Sequence, residues 1–305
     1  MHNLKKTIID EYKEKKLKTF KEVKFLKKIS KAKVFVTSTG LVRHIQNYDY
    51  KSSLALWDNK IFSKKIKAED LKYSSDNAIM RSRHYYSAIF INELLVKKKG
   101  IKFCDFGSGE GNFISELARL NKNIKFYFTE SSKINYSHIK KNYKKTIGFN
   151  GSIEDSITNK NFKNLDAASL LWTLSACVNP IGVLKAIHAS LNKEGLLIIS
   201  DSSRIMVPFK KPIYNFFNSK LKTNNSHPFF FSYNTLSNLL EICGFRIVKA
   251  NRFYDENDLV VIAKKRNNLS KPKLKFDSQK KVISFLKNWL KFSILLKKNT
   301  NNYKT

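Results

Sequence analysis

The stretch Lys102-Phe103-Cys104-Asp105-Phe106-Gly107-Ser108-Gly109-Glu110-Gly111-Asn112-Phe113 constrains this chain more than any other part of it. An apolar strand pattern runs into an acidic residue, a Gly-x-Gly-x-Gly loop follows, and a helix pattern begins at once. Such a strand–loop–helix unit is suited to holding a nucleoside cofactor. The spacing narrows the choice. A dinucleotide fingerprint places its third glycine where this chain has Asn112; here the third glycine is Gly111. Asp105 also precedes the first glycine, and a carboxylate there repels a pyrophosphate at the helix N-terminus but attracts a cationic ligand. The loop spacing therefore disfavours a dehydrogenase.

The elements that follow extend the pattern. Residues 124–130 read as a second strand ending in a carboxylate, and Glu130 lies 19 residues past Gly111, about where an acidic residue takes ribose hydroxyls in such folds. Gly151-Ser152-Ile153-Glu154 follows a third short segment. Residues 165–174 form a fourth strand pattern leading to Val178-Asn179-Pro180, 184–191 a helix, 192–195 a turn and 196–201 a fifth strand. A helix over 236–243 and strands over 246–250 and 258–263 close the series. Strands alternating with helices in this way build an open α/β sheet wound on both faces.

The form Asp105-x-Gly107-x-Gly109-x-Gly111, with this succession behind it, resembles motif I and the core of the class I S-adenosylmethionine-dependent methyltransferases, of the small-molecule and sugar type. The resemblance spans residues 79–266. It implies a Rossmann-like seven-stranded doubly wound sheet, S-adenosylmethionine as cofactor and methyl transfer as the reaction. Carried onto this chain, it implies that Gly107, Ser108, Gly109, Gly111 and Asn112 form the cofactor loop, with Asp105 complementing the ligand's positive end directly or through the loop. Glu130 and Ser131 would meet the ribose, Ser152, Ile153 and Glu154 would flank the adenine, and Leu171 and Trp172 would line the pocket floor.

The base is less plainly marked. Small-molecule enzymes of this type often carry a Glu-His pair after the fourth strand; Ser175 and Ala176 stand there instead. A second family feature is kept: the run from His227 through Phe231-Ser232 to Thr235-Leu236 resembles a His-x-x-x-Phe-Ser-x-x-Thr-Leu pattern. His227 is the candidate base, since imidazole suits proton abstraction near neutral pH. Tyr86 is the second catalytic candidate. It lies in the cluster Arg81, Arg83, His84, Tyr85 and Tyr86, on a helix expected over 78–96.

The net charge of +34 points first to a polyanion. Yet the chain has only eight arginines, and specific phosphate and base readout draws on arginine's planar fork. Scattered lysine makes a solvated surface, so weak, non-specific polyanion binding is the expectation. No long uncharged apolar run exists, and the first lysines are not followed by an apolar region, so neither a membrane span nor a secretory signal is expected. Cys104, Cys177 and Cys243 lie far apart in apolar patterns. They are expected as reduced core thiols of a cytoplasmic protein, and no metal site is expected.

Residues 1–78 are expected to form a basic, mainly helical extension. The first 33 hold twelve lysines against four acids, with Ile8, Tyr12, Leu17, Phe20, Val23, Phe25 and Leu26 at near-helical spacing. Residues 34–42 read as a strand and turn, and 48–57 as aromatic without a period. Residues 202–232, rich in Pro and Phe, form a candidate substrate cap at the ligand-binding end of the sheet. Residues 267–305 hold ten lysines against one aspartate, with Val282, Phe285, Leu286, Trp289 and Phe292 near one helical face. A basic amphipathic helix of this kind can pack on its own domain or lie on an anionic membrane; packing through Phe285, Trp289 and Phe292 is expected. The activity expected is methyl transfer to oxygen or carbon of a small polar molecule such as a sugar or nucleotide-linked sugar. RNA methylation using the basic ends is the alternative, although no Asn-Pro-Pro-Tyr-like tetrapeptide or paired catalytic cysteines mark it. A non-catalytic cofactor-binding protein on the same fold is a third reading.

Overall fold

The computed structural model describes residues 2–13, 20–29, 33–45, 75–201, 204–208, 212–217, 227–251, 258–267 and 272–302. Leu17, the stretch 48–57 and part of the 202–232 insertion lie outside them. The chain begins with helix α1 (His2–Tyr12) and strands β1 (Lys21–Glu22), β2 (Lys33–Val36) and β3 (Val42–Ile45). Helix α2 (Ser75–Leu95) leads into β4 (Ile101–Phe106), α3 (Asn112–Leu120), β5 (Ile124–Glu130), α4 (Lys133–Asn142), β6 (Ile147–Asn150), α5 (Ile153–Ser156), β7 (Leu165–Leu171), α6 (Pro180–Ser190) and β8 (Leu191–Asp201). Then come α7 (Tyr214–Phe217), β9 (Phe229–Phe230), α8 (Tyr233–Ile242), β10 (Phe245–Ala250), β11 (Leu259–Lys265) and α9 (Gln279–Asn302).

Seven strands form the main sheet in the order β10-β11-β8-β7-β4-β5-β6. β4 to β8 run parallel, and β11 inserts antiparallel to both β8 and β10. Parallel strands covered by helices on both faces are apolar throughout. Cys104 and Phe106 of β4 enter one layer with Leu170, Leu184, Ile187 and Leu236, while Phe103 enters the other with Ile91, Phe113 and Phe126. Helix starts are set locally: Asn179 caps α6 with Pro180 in its first turn, and Ser232 with Thr235 forms a capping box on α8. The chain steps outward from β4 to β6, then crosses back to β7 and β8 on the other side of β4. Such a reversal opens a crevice at the strands' C-terminal ends.

A second sheet has the order β1-β2-β3-β9, antiparallel throughout. The N-terminal extension is thus less helical than expected: among the described residues it supplies one helix, a 3-10 turn (Lys24–Lys28) and three short strands. The cause is the alternation at Val34-Phe35-Val36, which buries both valines and half-buries Phe35, and the turn at Gly40, held at φ +88°.

The cap contributes β9 to this sheet, and α9 covers it. Val23, Val34, Val36 and Val42 from the N-terminal part, Ile205, Phe217 and Phe230 from the insertion, and Val282, Leu286 and Trp289 from the tail share one apolar cluster. Extension, cap and tail therefore build one module. Trp289 is buried as expected, with Phe285 and Phe292 half-buried beside it; Val282 and Leu286 are the more fully enclosed residues. Ser293 on α9 accepts from the Ile213 amide at 2.8 Å. Among the described residues no helix is long and apolar enough to cross a membrane. Trp289→Ala should lower the unfolding free energy by about 3–5 kcal/mol in urea denaturation.

Candidate active site

The site begins where β4 gives way to the glycine loop. Gly107, Gly109 and Gly111 have φ of +71°, +55° and +80°, the left-handed region that glycine enters without strain. Their surroundings differ. A Cβ on Gly107 would lie 2.8 Å from Thr173 Cγ2, and one on Gly111 would lie 3.0 Å from the Tyr143 ring. A Cβ on Gly109 would meet nothing within 4 Å. The outer glycines let the loop pack down, and the middle one faces an open cradle.

The end of β5 holds this loop. The amides of Gly107 and Ser108 donate to the Thr129 carbonyl at 3.0 and 3.1 Å. Glu130 Oε2 accepts from the Gly109 amide at 2.7 Å, and its Oε1 from the Ser132 amide at 2.9 Å. Glu130 is 6% exposed, and burial pushes its pKa up to about 7 against the pull of those donors. Each carboxylate oxygen keeps capacity for a further donor. Asn150 Nδ2 donates to the carbonyls of Glu130 and Ser131 and fixes the corner. Asn112 Nδ2 bonds Glu110 Oε2 at 3.1 Å.

Asp105 lies beneath the loop. Its Oδ1 accepts from Ser169 Oγ at 2.6 Å across the β4–β7 pairing, while Ser108 Oγ bonds its carbonyl at 2.7 Å. Burial raises its pKa to about 6, partly offset by hydrogen bonding. Asp105 thus touches the loop through Ser108, with its carboxylate turned to Ser169. Ser152 caps α5 by accepting from the Asp155 amide, Ile153 is buried behind it, and burial raises the Glu154 pKa.

Leu171 ends β7 and is buried. Trp172 follows at φ +54°, a conformation uncommon for a bulky residue. It is held there from three sides: its amide bonds Ser200 O at 2.7 Å, its indole Nε1 bonds Asp258 Oδ1 at 3.3 Å, and the His84 ring meets it edge-on at 4.7 Å. Arg83 pairs with the same Asp258 at 2.6 Å. The cluster on α2 thus anchors the helix to the ligand end of the sheet.

His227 and Ser175 come together just past the end of β7. Ser175 Oγ lies 2.9 Å from His227 Nδ1, and the Ser175 amide donates to the fully buried Asp201 at 3.2 Å. Enclosure lowers the His227 pKa to about 4, leaving the ring neutral near neutral pH. Tyr86 is placed otherwise. It stacks on Phe90 at 5.6 Å, and burial, with the Glu93 charge, raises its phenol pKa. The roles of Ser175 and Asp201, and the Arg83–Asp258–Trp172 contact, are absent from the sequence reading. Their partners lie 26 to 86 residues away, and Asp258 farther still from Arg83, with no local signature. Among the described residues no cluster of His, Cys, Asp and Glu is arranged to hold a metal ion.

This geometry meets the comparisons with known proteins. Residues 79–250 match the family described as a methyltransferase domain. The chain belongs to that family of class I S-adenosylmethionine-dependent methyltransferases, and S-adenosylmethionine is its cofactor. It is similar in fold to a Nostoc punctiforme protein provisionally named an O-methyltransferase, at 16% identity over 70% of this chain and 67% of that one, TM-score 0.52. It is also similar to the 1,6-didemethyltoxoflavin-N1-methyltransferase of Burkholderia thailandensis, a structure with bound 1,6-didemethyltoxoflavin and S-adenosylhomocysteine, at 14% identity over 74% and 96%, TM-score 0.51. No curated protein matches the chain.

The cofactor fits the residues present. The open cradle at Gly109 stands beside a buried carboxylate with spare acceptor capacity, which suits a nucleoside bearing two neighbouring hydroxyls. Gly109→Ala should cost about 1–2 kcal/mol of stability through its φ and abolish cofactor binding in calorimetry. Gly107→Ala should instead destabilise the fold itself by about 2–4 kcal/mol, because its Cβ strikes Thr173.

Proposed function

We propose that this methyltransferase acts on a small polar molecule, a sugar or nucleotide-linked sugar in the first instance, at oxygen or carbon. The Ser175–His227 contact carries the reading. His227 comes from the insertion after β8 and meets Ser175 just past the C-terminal end of β7, 2.9 Å away, which suits an enclosed acceptor of modest size. When bound, S-adenosylmethionine supplies a methyl group already activated by its sulfonium. Gly107, Ser108, Gly109, Gly111 and Asn112 form the loop that receives it, and Asp105 acts from beneath. Glu130 and the Ser131 corner take the ribose, Ser152, Ile153 and Glu154 flank the adenine, and Leu171 and Trp172 line the pocket floor.

His227 accepts the proton of the acceptor. In the tautomer whose Nδ1–H donates to Ser175 Oγ, Nε2 is the free acceptor and takes the proton in concert with transfer; burial keeps the ring neutral and makes it a weaker base than a free imidazole. Tyr86 is a secondary candidate on the α2 side. Its phenol, held above its ordinary pKa, can donate a hydrogen bond but is a poor base near neutral pH.

Glu130→Ala should weaken cofactor binding by about 2–4 kcal/mol through the loss of two charge-assisted hydrogen bonds. The wild-type affinity should also depend on pH with a defined sign. Below about 7 the free Glu130 carboxyl is protonated. Ribose hydroxyls favour the carboxylate, so binding releases a proton there and affinity rises with pH until about 7, then levels. Calorimetry across this range checks it, and Glu130→Gln should flatten the dependence.

Incubation with methyl-labelled cofactor and fractionated cell extract tests the substrate class. Label is expected in a low-molecular-mass fraction, with His227→Ala slowing transfer about 10²–10⁴-fold at unchanged cofactor affinity. Label appearing only in RNA would reject the small-molecule reading and favour the RNA alternative.

A further inference from the structure

The two basic ends of the chain, remote in sequence, meet in one module. Residues 1–33 carry a net +8 and residues 267–305 a net +9. Val23, Leu26, Val34 and Val36 of the first share a core with Val282, Leu286 and Trp289 of the second. No acidic residue occurs from Ser278 to the last residue. Because α9 spends one face on the module, what its opposite face presents is informative. At helical spacing Lys280, Lys287, Lys291, Ile294 and Leu295 fall opposite Val282, Leu286 and Trp289. The three lysines are exposed, Ile294 is 46% exposed and Leu295 is 60% exposed. Beside the first turns of α9 lies an open hollow of about 490 Å³, lined mainly by Lys280, Lys281, Ser284, Phe285 and Asn288 and, from the cap, Met206.

We propose that the outer face of α9 docks the enzyme on an anionic phospholipid surface, with the hollow at its start receiving a phosphate-bearing head group. Charge complementarity argues for an anionic occupant, and the aliphatic pair decides its kind. Lysine works as a point charge near a lipid surface, and aliphatic side chains at the far end of the same face enter the head-group boundary. A nucleic acid would be met through arginine forks and exposed aromatic platforms; the tail has no arginine, and the exposed pair is aliphatic. Docked this way, α9 stands between the membrane and the cap, about one helix diameter of 10 Å thick, since its inner face packs on Phe216, Phe217 and Phe230. An acceptor bearing a lipid or delivered at a lipid surface is then within the enzyme's reach.

The test is sedimentation of the whole protein with vesicles of phosphatidylglycerol and phosphatidylcholine, against pure phosphatidylcholine vesicles and an RNA oligonucleotide. Binding to the anionic vesicles is expected to exceed binding to the neutral vesicles and to RNA by roughly tenfold or more, and to fall with salt. The double change Ile294→Asn, Leu295→Asn should lower it roughly tenfold or more. Lys287→Glu, Lys291→Glu should lower it by about fivefold per lysine or more. Cofactor affinity, measured in parallel, should stay unchanged in both, which separates docking from folding and from the methyl-transfer reading. Absence of binding to anionic vesicles would overturn the proposal. So would vesicle binding that is indifferent to the aliphatic pair and matched by RNA, because that pattern belongs to a plain polyanion patch.

Discussion

The glycine loop has its shape because the neighbouring strand holds it. Thr129 and Glu130, the last residues of β5, take the amides of Gly107, Ser108 and Gly109 with a carbonyl and a carboxylate. Remove that grip and the loop has no reason to keep three successive left-handed glycines. Parallel register brings the two strand ends level, so β5 can reach the loop that leaves β4. The same carboxylate that orders the loop is left with acceptor capacity at its outer edge. Structural support and, in the function proposed above, ligand recognition fall to one side chain, whose hydrogen bonds offset part of the cost of enclosing a charge.

The acceptor side rests on a different principle. There, residues from the sheet meet residues from an insertion, and their meeting depends on how the insertion is seated. β9 pairs with β3, and α9 lies over both. Asp277, just before α9, accepts hydrogen bonds from Ser232 and Asn234 at the start of α8. Ser232 is also the N-cap of that helix. His227 is therefore positioned by a chain of contacts that begins in the tail and passes through the cap, while Ser175 is positioned by Asp201 in the main sheet.

Much of this was legible in the residues, and the division is physical. Most strands of the large sheet announce themselves as apolar runs bounded by turn residues, although β8 begins at Leu191 and takes in the polar stretch 192–195 expected as a turn; the glycine spacing with Asp105 and Glu130 is likewise a local signal. Two things were not legible. The strand and turn over 34–42 were visible, but the strand that follows the turn, β3, pairs on its far side with Phe229–Phe230, almost two hundred residues on, and a two-residue strand has no periodicity to read. The replacement of a Glu-His pair by Ser175 and Ala176 read as the loss of a base. Only the folded chain shows the Ser175 hydroxyl meeting an imidazole 52 residues away. Lysine abundance also masked the ends: charge says nothing about whether two segments share a core.

The bond from Gln279 Nε2 to the Val36 carbonyl spans 243 residues. Contacts of that sequence separation close late, because the chain between them must first surrender its freedom. During synthesis the glycine loop and all strands of the large sheet precede α9 in emergence, whereas the second sheet waits, its outer surface uncovered, for the last helix. The packing of extension against cap is therefore completed only once α9 is present, so a polypeptide ended before Ser278 would keep the glycine loop and the large sheet but lack the helix that covers the second sheet.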